Sequence, residues 1–212
     1  MEAGPNTIVL RQYGNNAKRQ NLVFYEGDPD AAYRYVQGAS PEQDPEKVAL
    51  PILFADGPPE LRAVRSRLQA EYGHPFSLVY INVYADETVG IGWHNDAEEI
   101  GSKVPVKMLC LGGTRLFSIW RVRKNKDGKL LLSENLRDAN GEPLLDAKKK
   151  PKKRSLISAE WNETTESGDL VEMPVGFHEV DAYRHAVLPQ RHFAAPRISL
   201  TFRSPDLSSI DN

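Results

Sequence analysis

His94 and Asp96 are the first residues of this chain whose types and spacing indicate chemistry. They lie two positions apart in the segment WHND, and residues i and i+2 of a β-strand point to the same face. A strand here would present an imidazole and a carboxylate side by side. These groups are two thirds of the facial site of two histidines and one carboxylate that holds non-haem Fe(II). The pair alone is also compatible with a surface salt bridge, so a third ligand has to come from elsewhere.

The third ligand is sought among the other histidines, which are His74, His178, His185 and His192. His185 is favoured because it lies within a candidate strand, 12 residues before Arg197. His74 directly follows a glycine that ends a predicted helix, which indicates a turn position. His178 lies in a predicted loop and is the rival ligand.

The segment RISLTFR, Arg197 to Arg203, predicts a strand with one polar and one apolar face. Its polar face carries Arg197, Ser199, Thr201 and Arg203. Two arginines that point into the protein would be costly to bury without anions. The planar guanidinium suits carboxylates, so a ligand with two carboxylates beside a metal would pair with both. The alternative is that one arginine lies at an exposed strand edge and pairs with a surface acid.

The elements that must position these residues are mostly strands. Residues 1–57 are irregular, with short strand-like pieces such as Asn21–Tyr25. Apolar residues at helical spacing from Leu61 to Tyr72, followed by Gly73, predict one helix. From Phe76 onward the period is that of strands, among them Leu78–Tyr84 and Leu156–Trp161. Many strands after one helix favour an antiparallel sandwich or barrel.

Composition limits the class of protein. The 212 residues, 40% hydrophobic and 26% charged, suit one compact domain. No apolar run is long enough to span a membrane, and the N-terminus has no secretory pattern. With one cysteine, Cys110, the chain cannot form an internal disulfide, so we expect an intracellular protein, cytoplasmic or nuclear. We also expect a monomer.

The net charge of −2 hides a basic segment. Residues 121–154 contain 12 Lys and Arg against 5 Asp and Glu, a net of +7, which leaves −9 on the remainder. The run Lys148–Arg154 is compatible with a nuclear-import signal, a phosphate-binding loop or a solvated insertion.

Together these residues resemble the AlkB family of Fe(II)- and 2-oxoglutarate-dependent dioxygenases. The family pattern is Asn-x-Tyr, His-x-Asp, a distant His, and a strand of the type RxNLTFR. The corresponding residues here are Asn82, Tyr84, His94, Asp96, His185 and Arg197–Arg203, with Ser199 in place of the usual Asn. The resemblance covers Phe76 to Arg203 well and is weaker upstream.

The resemblance implies a mainly β fold with a flanking helix, a double-stranded β-helix or jelly-roll barrel. It implies a single domain over residues 1–212, with a substrate-recognition lid in 1–57, a catalytic core in 76–205 and a basic insertion in 121–154. Fe(II) would be held by His94, Asp96 and His185, and 2-oxoglutarate by Asn82, Tyr84, Arg197 and Arg203. Substrate contacts would come from Tyr33, Tyr35, Glu98 and Arg191.

The implied reaction consumes O2 and converts 2-oxoglutarate to succinate and CO2. It hydroxylates an N-methyl group on a nucleic-acid base, and the product collapses to formaldehyde and the repaired base. The expected partner is a single strand or a flipped base, because a base inside a duplex is out of reach. Two alternatives stay open: an AlkB-like oxygenase that acts on a protein or small molecule, and an inactive barrel that binds nucleic acid or a protein.

Overall fold

The architecture comes from a computed structural model of the chain. The structure describes residues 11–12, 20–27, 32, 51–96, 99, 102–129, 131, 133–156, 159–179, 182–190 and 195–205. Within them, no helix is long and apolar enough to cross a membrane.

The larger of two principal sheets has seven strands in the order β1-β2-β4-β13-β6-β11, with β3 paired to β2. Its strands are β1 (Arg11–Gln12), β2 (Gln20–Tyr25), β3 (Ile52–Leu53), β4 (Leu78–Tyr84), β6 (Val106–Gly112), β11 (Leu170–Met173) and β13 (Arg197–Arg203). All the pairs are antiparallel except β2 with β3.

The smaller sheet has four antiparallel strands in the order β10-β7-β12-β5. Its strands are β5 (Ile91–His94), β7 (Arg115–Arg121), β10 (Trp161–Thr165) and β12 (Tyr183–Val187). A separate hairpin of β8 (Ser133–Asn135) and β9 (Lys153–Ser155) lies between β7 and β10 in the chain.

Apolar side chains from both sheets pack in the space between them. This cluster includes Met108 and Cys110 of β6, Phe117 of β7 and Val187 of β12. The prediction of a mainly β jelly-roll fold with a flanking helix is confirmed. The two sheets do not join into one closed sheet in the described part of the chain.

Helix α1 (Pro59–Tyr72) covers the other face of the larger sheet. Its buried Leu61 and Leu68 pack in one cluster with Leu200 and Phe202 of β13. The helix ends at Gly73, which adopts the left-handed conformation (φ 70°) and donates its N–H to the Gln69 carbonyl. The helix therefore shields the apolar face of β13, so the polar face of that strand points between the sheets.

Two predicted strand boundaries are wrong. The strand that carries His94 ends at that residue, so Asp96 lies in the following loop. The strand predicted over Leu156–Trp161 begins instead at Trp161 and runs to Thr165. It is the edge strand of its sheet, and four of its five residues are exposed. Because an exposed edge strand needs few apolar residues, its pattern is weak.

Candidate active site

The smaller sheet brings the two predicted histidine ligands face to face. His185 on β12 pairs in register with His94 on β5, and directly opposed residues of an antiparallel pair have neighbouring side chains. Their ring centroids are 4.2 Å apart. Asp96 follows β5 by two residues, and ligand atoms of all three residues lie within 4.8 Å of one another. The structure thus gathers the three predicted metal ligands in one place.

The orientation of these rings suits metal binding. The Nε2 atom of His94 is 3.6 Å from Asp96 Oδ1, and the Nε2 atom of His185 is 3.9 Å from Asp96 Oδ2. His94 donates its Nδ1 hydrogen to the Gly92 carbonyl at 2.7 Å. A hydrogen bond of this kind fixes the tautomer and leaves Nε2 with a lone pair for a metal.

His178, the rival ligand, forms a hydrogen bond with the backbone of Asp96. Its side chain is 4% exposed, and its Nδ1 accepts the Asp96 backbone N–H at 3.3 Å. Its backbone carbonyl accepts a hydrogen bond from the Asn95 amide at 3.1 Å. Two hydrogen bonds therefore tie the loop after β5 to the segment that precedes β12. The three-ligand group found among the described residues is His94, Asp96 and His185, without His178.

Burial and neighbouring charges set the protonation states. Burial alone would raise the pKa of Asp96, but the Arg203 guanidinium and the nearby imidazoles hold that pKa well below its ordinary value. Burial lowers the pKa of His185 to about 3 and that of His178 to about 4. At neutral pH Asp96 is thus charged and His185 and His178 are neutral; a charged carboxylate and a neutral imidazole are the forms that bind a metal.

A cavity of about 180 Å³ opens from this cluster between the two sheets. Three metal-ligand candidates line it together with polar side chains from β2, β4 and β13. These polar residues are Asn21, Tyr80, Asn82, Tyr84, Ser199, Thr201 and Arg203. The cavity walls between them are apolar, with Met108, Phe117 and Val187 among the lining residues.

The two arginines of β13 occupy different surroundings. Arg203 lines the cavity, and its Nη2 atom is 2.7 Å from Asp96 Oδ2. Arg197 is fully buried at the other end of the strand, opposite Tyr84, and is not among the cavity-lining residues. Its guanidinium donates to the Cys110 sulfur at 2.8 Å and to the Thr165 carbonyl at 3.2 Å. Both arginines point inward, as the sequence predicts.

The residues present fit Fe(II) and 2-oxoglutarate. The donor set of two neutral imidazoles and one carboxylate is typical of non-haem Fe(II). Among the described residues, neither the buried Ser199 hydroxyl in the cavity wall nor the buried Nε of Arg197 has a hydrogen-bond partner. Such groups normally find partners, and the carboxylates of 2-oxoglutarate would supply acceptors for them.

The predicted substrate contacts Tyr33, Tyr35, Glu98 and Arg191 lie outside the described residues. Three polar cavity residues were given no role at the site by the sequence reasoning, although it placed Thr201 on the polar face of its strand; they are Asn21, Tyr80 and Thr201. Tyr80 and Thr201 continue the alternation of Asn82 with Tyr84 and of Ser199 with Arg203, so the period of two could have found them. Asn21 pairs with Asn82 across β2 and β4, a contact between distant parts of the chain that no local pattern reveals.

Comparison with known proteins matches the sequence to one family. The sequence profile of the 2OG-Fe(II) oxygenase superfamily matches residues 32–203. Alpha-ketoglutarate-dependent dioxygenase alkB homolog 3 from Homo sapiens is 27% identical over 148 residues, which are 69% of this chain and 42% of that protein. The homologue from Rattus norvegicus is 36% identical over 62 residues, 29% of this chain and 21% of its own.

The chain thus spans less than half the length of these curated relatives. Among solved structures, that of OsALKBH1 aligns with a TM-score of 0.44 and 17% identity, over 92% of this chain and 84% of its own. The sequence matches confirm the resemblance to the AlkB family.

Proposed function

Since this chain belongs to the 2OG-Fe(II) oxygenase superfamily, we propose that it removes N-linked methyl groups from bases of DNA or RNA by oxidation. The observation that carries the proposal is the cluster of His94, Asp96 and His185 at the end of a cavity between the sheets. The match to AlkB homologues and the motifs shared with that family support a nucleic-acid substrate.

Fe(II) bound with 2-oxoglutarate supplies the oxidising chemistry of this superfamily, in which O2 and 2-oxoglutarate yield succinate and CO2. His94, Asp96 and His185 would hold one face of the metal and leave the other face open to the co-substrate. Arg203, beside Asp96, would bind and orient 2-oxoglutarate. Asn82 and Tyr84 of β4 and Arg197, which lies opposite Tyr84 on β13, would contribute the further contacts to it.

Two phenylalanine rings pack beside the His185 imidazole. The ring centroid of Phe117, which lines the cavity, is 5.4 Å from that of His185, and the ring centroid of Phe177 is 5.8 Å from it. These rings exclude water from the metal ligand, which strengthens its electrostatic interactions. They also fix the orientation of the imidazole, so that its Nε2 faces Asp96.

The proposal is tested with single-stranded DNA and RNA oligonucleotides that carry 1-methyladenine, 3-methylcytosine or N6-methyladenine. The purified protein is incubated with Fe(II), ascorbate and 2-oxoglutarate, and methyl loss is followed by mass spectrometry. We expect demethylation of at least one base, and we expect its loss in His94→Ala. Arg67→Ser, on the exposed face of α1, is the matched control and should keep full activity.

Succinate formation without loss of any methyl group would contradict the proposed substrate. That outcome would favour an AlkB-like oxygenase that acts on a protein or a small molecule. The net charge of −9 outside the basic segment favours this second candidate, because an acidic surface repels a polyanion.

A further inference from the structure

Trp161 is an exposed tryptophan in the same row of the smaller sheet as two metal-ligand candidates. It pairs with Ile119, Ile119 pairs with His185, and His185 pairs with His94. Directly opposed residues share a face of the sheet, so Trp161 lies on the face that carries the cluster. With strands spaced 4.7–4.9 Å, it is about 10 Å from His185 along this row.

Trp161 is 45% exposed, although Ile119 and Tyr183 beside it pack against the core between the sheets. Its ring meets the Tyr183 ring edge-on at 6.1 Å, and Tyr183 stacks on Phe177 at 5.2 Å. One side of the indole therefore packs against Tyr183, which itself packs on Phe177, while the rest of the indole faces solvent. A rigid, half-exposed indole of this kind is a surface on which a nucleic-acid base can stack.

A basic arm, residues 123–154, lies between β7 and β10 in the chain. It leaves the sheet just after β7, which ends two residues beyond Ile119, and the chain re-enters the sheet at β10, whose first residue is Trp161. An ion pair between Arg123, at the start of the arm, and Glu160, the residue before Trp161, ties the arm to β10 (2.9 Å). The arm is therefore anchored at the end of the sheet that holds the metal-ligand candidates.

Three tight turns of the same geometry present the charges of the arm to solvent. They begin at Asn125, Asp138 and Asp146, and in each the side-chain oxygen of that residue accepts two backbone N–H groups of its own turn, two and four residues on. The last turn is followed by further basic residues, so that exposed cations line its tip and one flank. These cations are Lys148, Lys149, Lys150, Lys152, Lys153 and Arg154.

The fourth residue of each turn has positive φ, and its identity distinguishes the third turn. Glycine fills this position in two turns, Gly128 at 76° and Gly141 at 83°. In the third turn it is Lys149, at 57°. A residue with a side chain is disfavoured there by about 1 kcal/mol. Lys149 thus places a cation at the tip of the third turn, where it lowers the stability of the turn relative to a glycine.

From these features we infer that Trp161 and the basic arm form a binding surface for single-stranded nucleic acid. Unpaired bases stack on the indole, and the lysines of the arm contact the phosphates along the same strand. A positive track combined with an aromatic platform is the usual construction of single-strand binding sites. The inference rests on the proposed function for its choice of polyanion, and it names the form of the substrate and where the strand lies.

The test measures binding of a fluorescein-labelled, unmethylated DNA oligonucleotide by anisotropy at several salt concentrations, with neither iron nor 2-oxoglutarate. The whole chain is compared with Trp161→Ala, Trp161→Phe and a triple variant Lys148→Ser, Lys149→Gly, Lys150→Ser. The Lys149→Gly change removes the strain at that position, so the triple variant should fold at least as well as the parent. Arg67→Ser is the control for the loss of an exposed cation.

We expect the parent to bind the single strand more tightly than the duplex of the same sequence. Trp161→Ala should weaken single-strand binding by roughly tenfold and Trp161→Phe by much less. The triple variant should lower the slope of log K against log salt by about 2, since each single-strand phosphate contact contributes about 0.7. The control should bind as the parent does.

Equal affinity of the parent and the Trp161→Ala and triple variants would overturn the inference. A loss confined to the lysine variant would also overturn it, because no base would then stack on Trp161. Because this assay uses an unmethylated oligonucleotide, its result can be interpreted even if the protein shows no demethylase activity. Conversely, unaltered binding by both variants of a protein that does demethylate would overturn the inference alone.

Discussion

Asp96 is the residue on which the candidate metal site depends most directly. Its carboxylate is 2.7 Å from Arg203 and within 4 Å of three imidazoles, and its amide is held by His178. The sequence predicts Asp96 together with His94 because the pair resembles the His-x-Asp motif of the AlkB family. The part played by His178 could not be predicted, since it depends on how two distant loops meet.

His178 should act on the metal through Asp96. In His178→Leu the Asp96 amide loses its acceptor, and we expect Mn(II) to bind about 10- to 100-fold more weakly, as for other groups that orient a ligand. His178→Asn should recover much of the affinity, because the Asn oxygen can accept the same N–H. Calorimetric titration measures these affinities, with His74→Leu, a histidine beside Phe76, as the control. An unchanged affinity in His178→Leu would contradict this role.

The metal-free protein should lose stability in mild acid. His185 and His178 have pKa values of about 3 and 4 when folded, against about 6.5 when unfolded. The unfolded chain therefore binds more protons below pH 6.5, so the free energy of unfolding falls as the pH decreases toward 4. At pH 5 each histidine should cost on the order of 2 kcal/mol relative to pH 7. Urea unfolding at several pH values, with a chelator present, measures this loss of stability. In His178→Asn the free energy of unfolding should depend less steeply on pH. An equally steep dependence in that variant would refute the low pKa of His178.

At the scale of elements, strand patterns were predictable where one face is buried and the other is not. The predicted bounds of β4 and β13 agree with the structure, because polar and apolar residues alternate along all of β13 and along β4 from Tyr80 onward. β10 was misplaced because its residues WNETT are mostly exposed at the sheet edge. The pairing of β2 with β4, which places Asn21 in the cavity, depends on contacts between distant residues and leaves no local pattern.

β5 can pair with β12 because Gly90, the residue directly before β5, has no side chain. A Cβ on Gly90 would lie 2.5 Å from the Val187 carbonyl, whereas a Cβ on Gly92 would meet nothing within 4 Å. We expect Gly90→Ala to move β5 away from β12, to cost about 1–3 kcal/mol of stability and to weaken Mn(II) binding, because His94 would shift relative to His185. Gly92→Ala is the matched control. Thermal unfolding and Mn(II) titration check both variants, and equal behaviour of the two would contradict this explanation.

At the scale of the whole molecule, the site takes side chains from both sheets. The smaller sheet and its loop provide His94, Asp96 and His185, while the larger sheet provides Asn82, Tyr84 and Arg203. A metal held by the first group and a dicarboxylate held by the second would therefore link the sheets. Ligands that bind only the folded protein stabilise it by mass action.

The most direct test of this account is the melting temperature of the whole chain with Mn(II) and 2-oxoglutarate, since Mn(II) takes the same ligands as Fe(II). At 100 times the dissociation constant, Mn(II) should add about 2.7 kcal/mol, which is a rise of about 5–10 °C for a chain of this size. Adding 2-oxoglutarate should raise the temperature further only when Mn(II) is present, and Asp96→Ala should abolish both effects. A parent protein that Mn(II) does not stabilise, or an Asp96→Ala variant that it stabilises equally, would contradict the metal site.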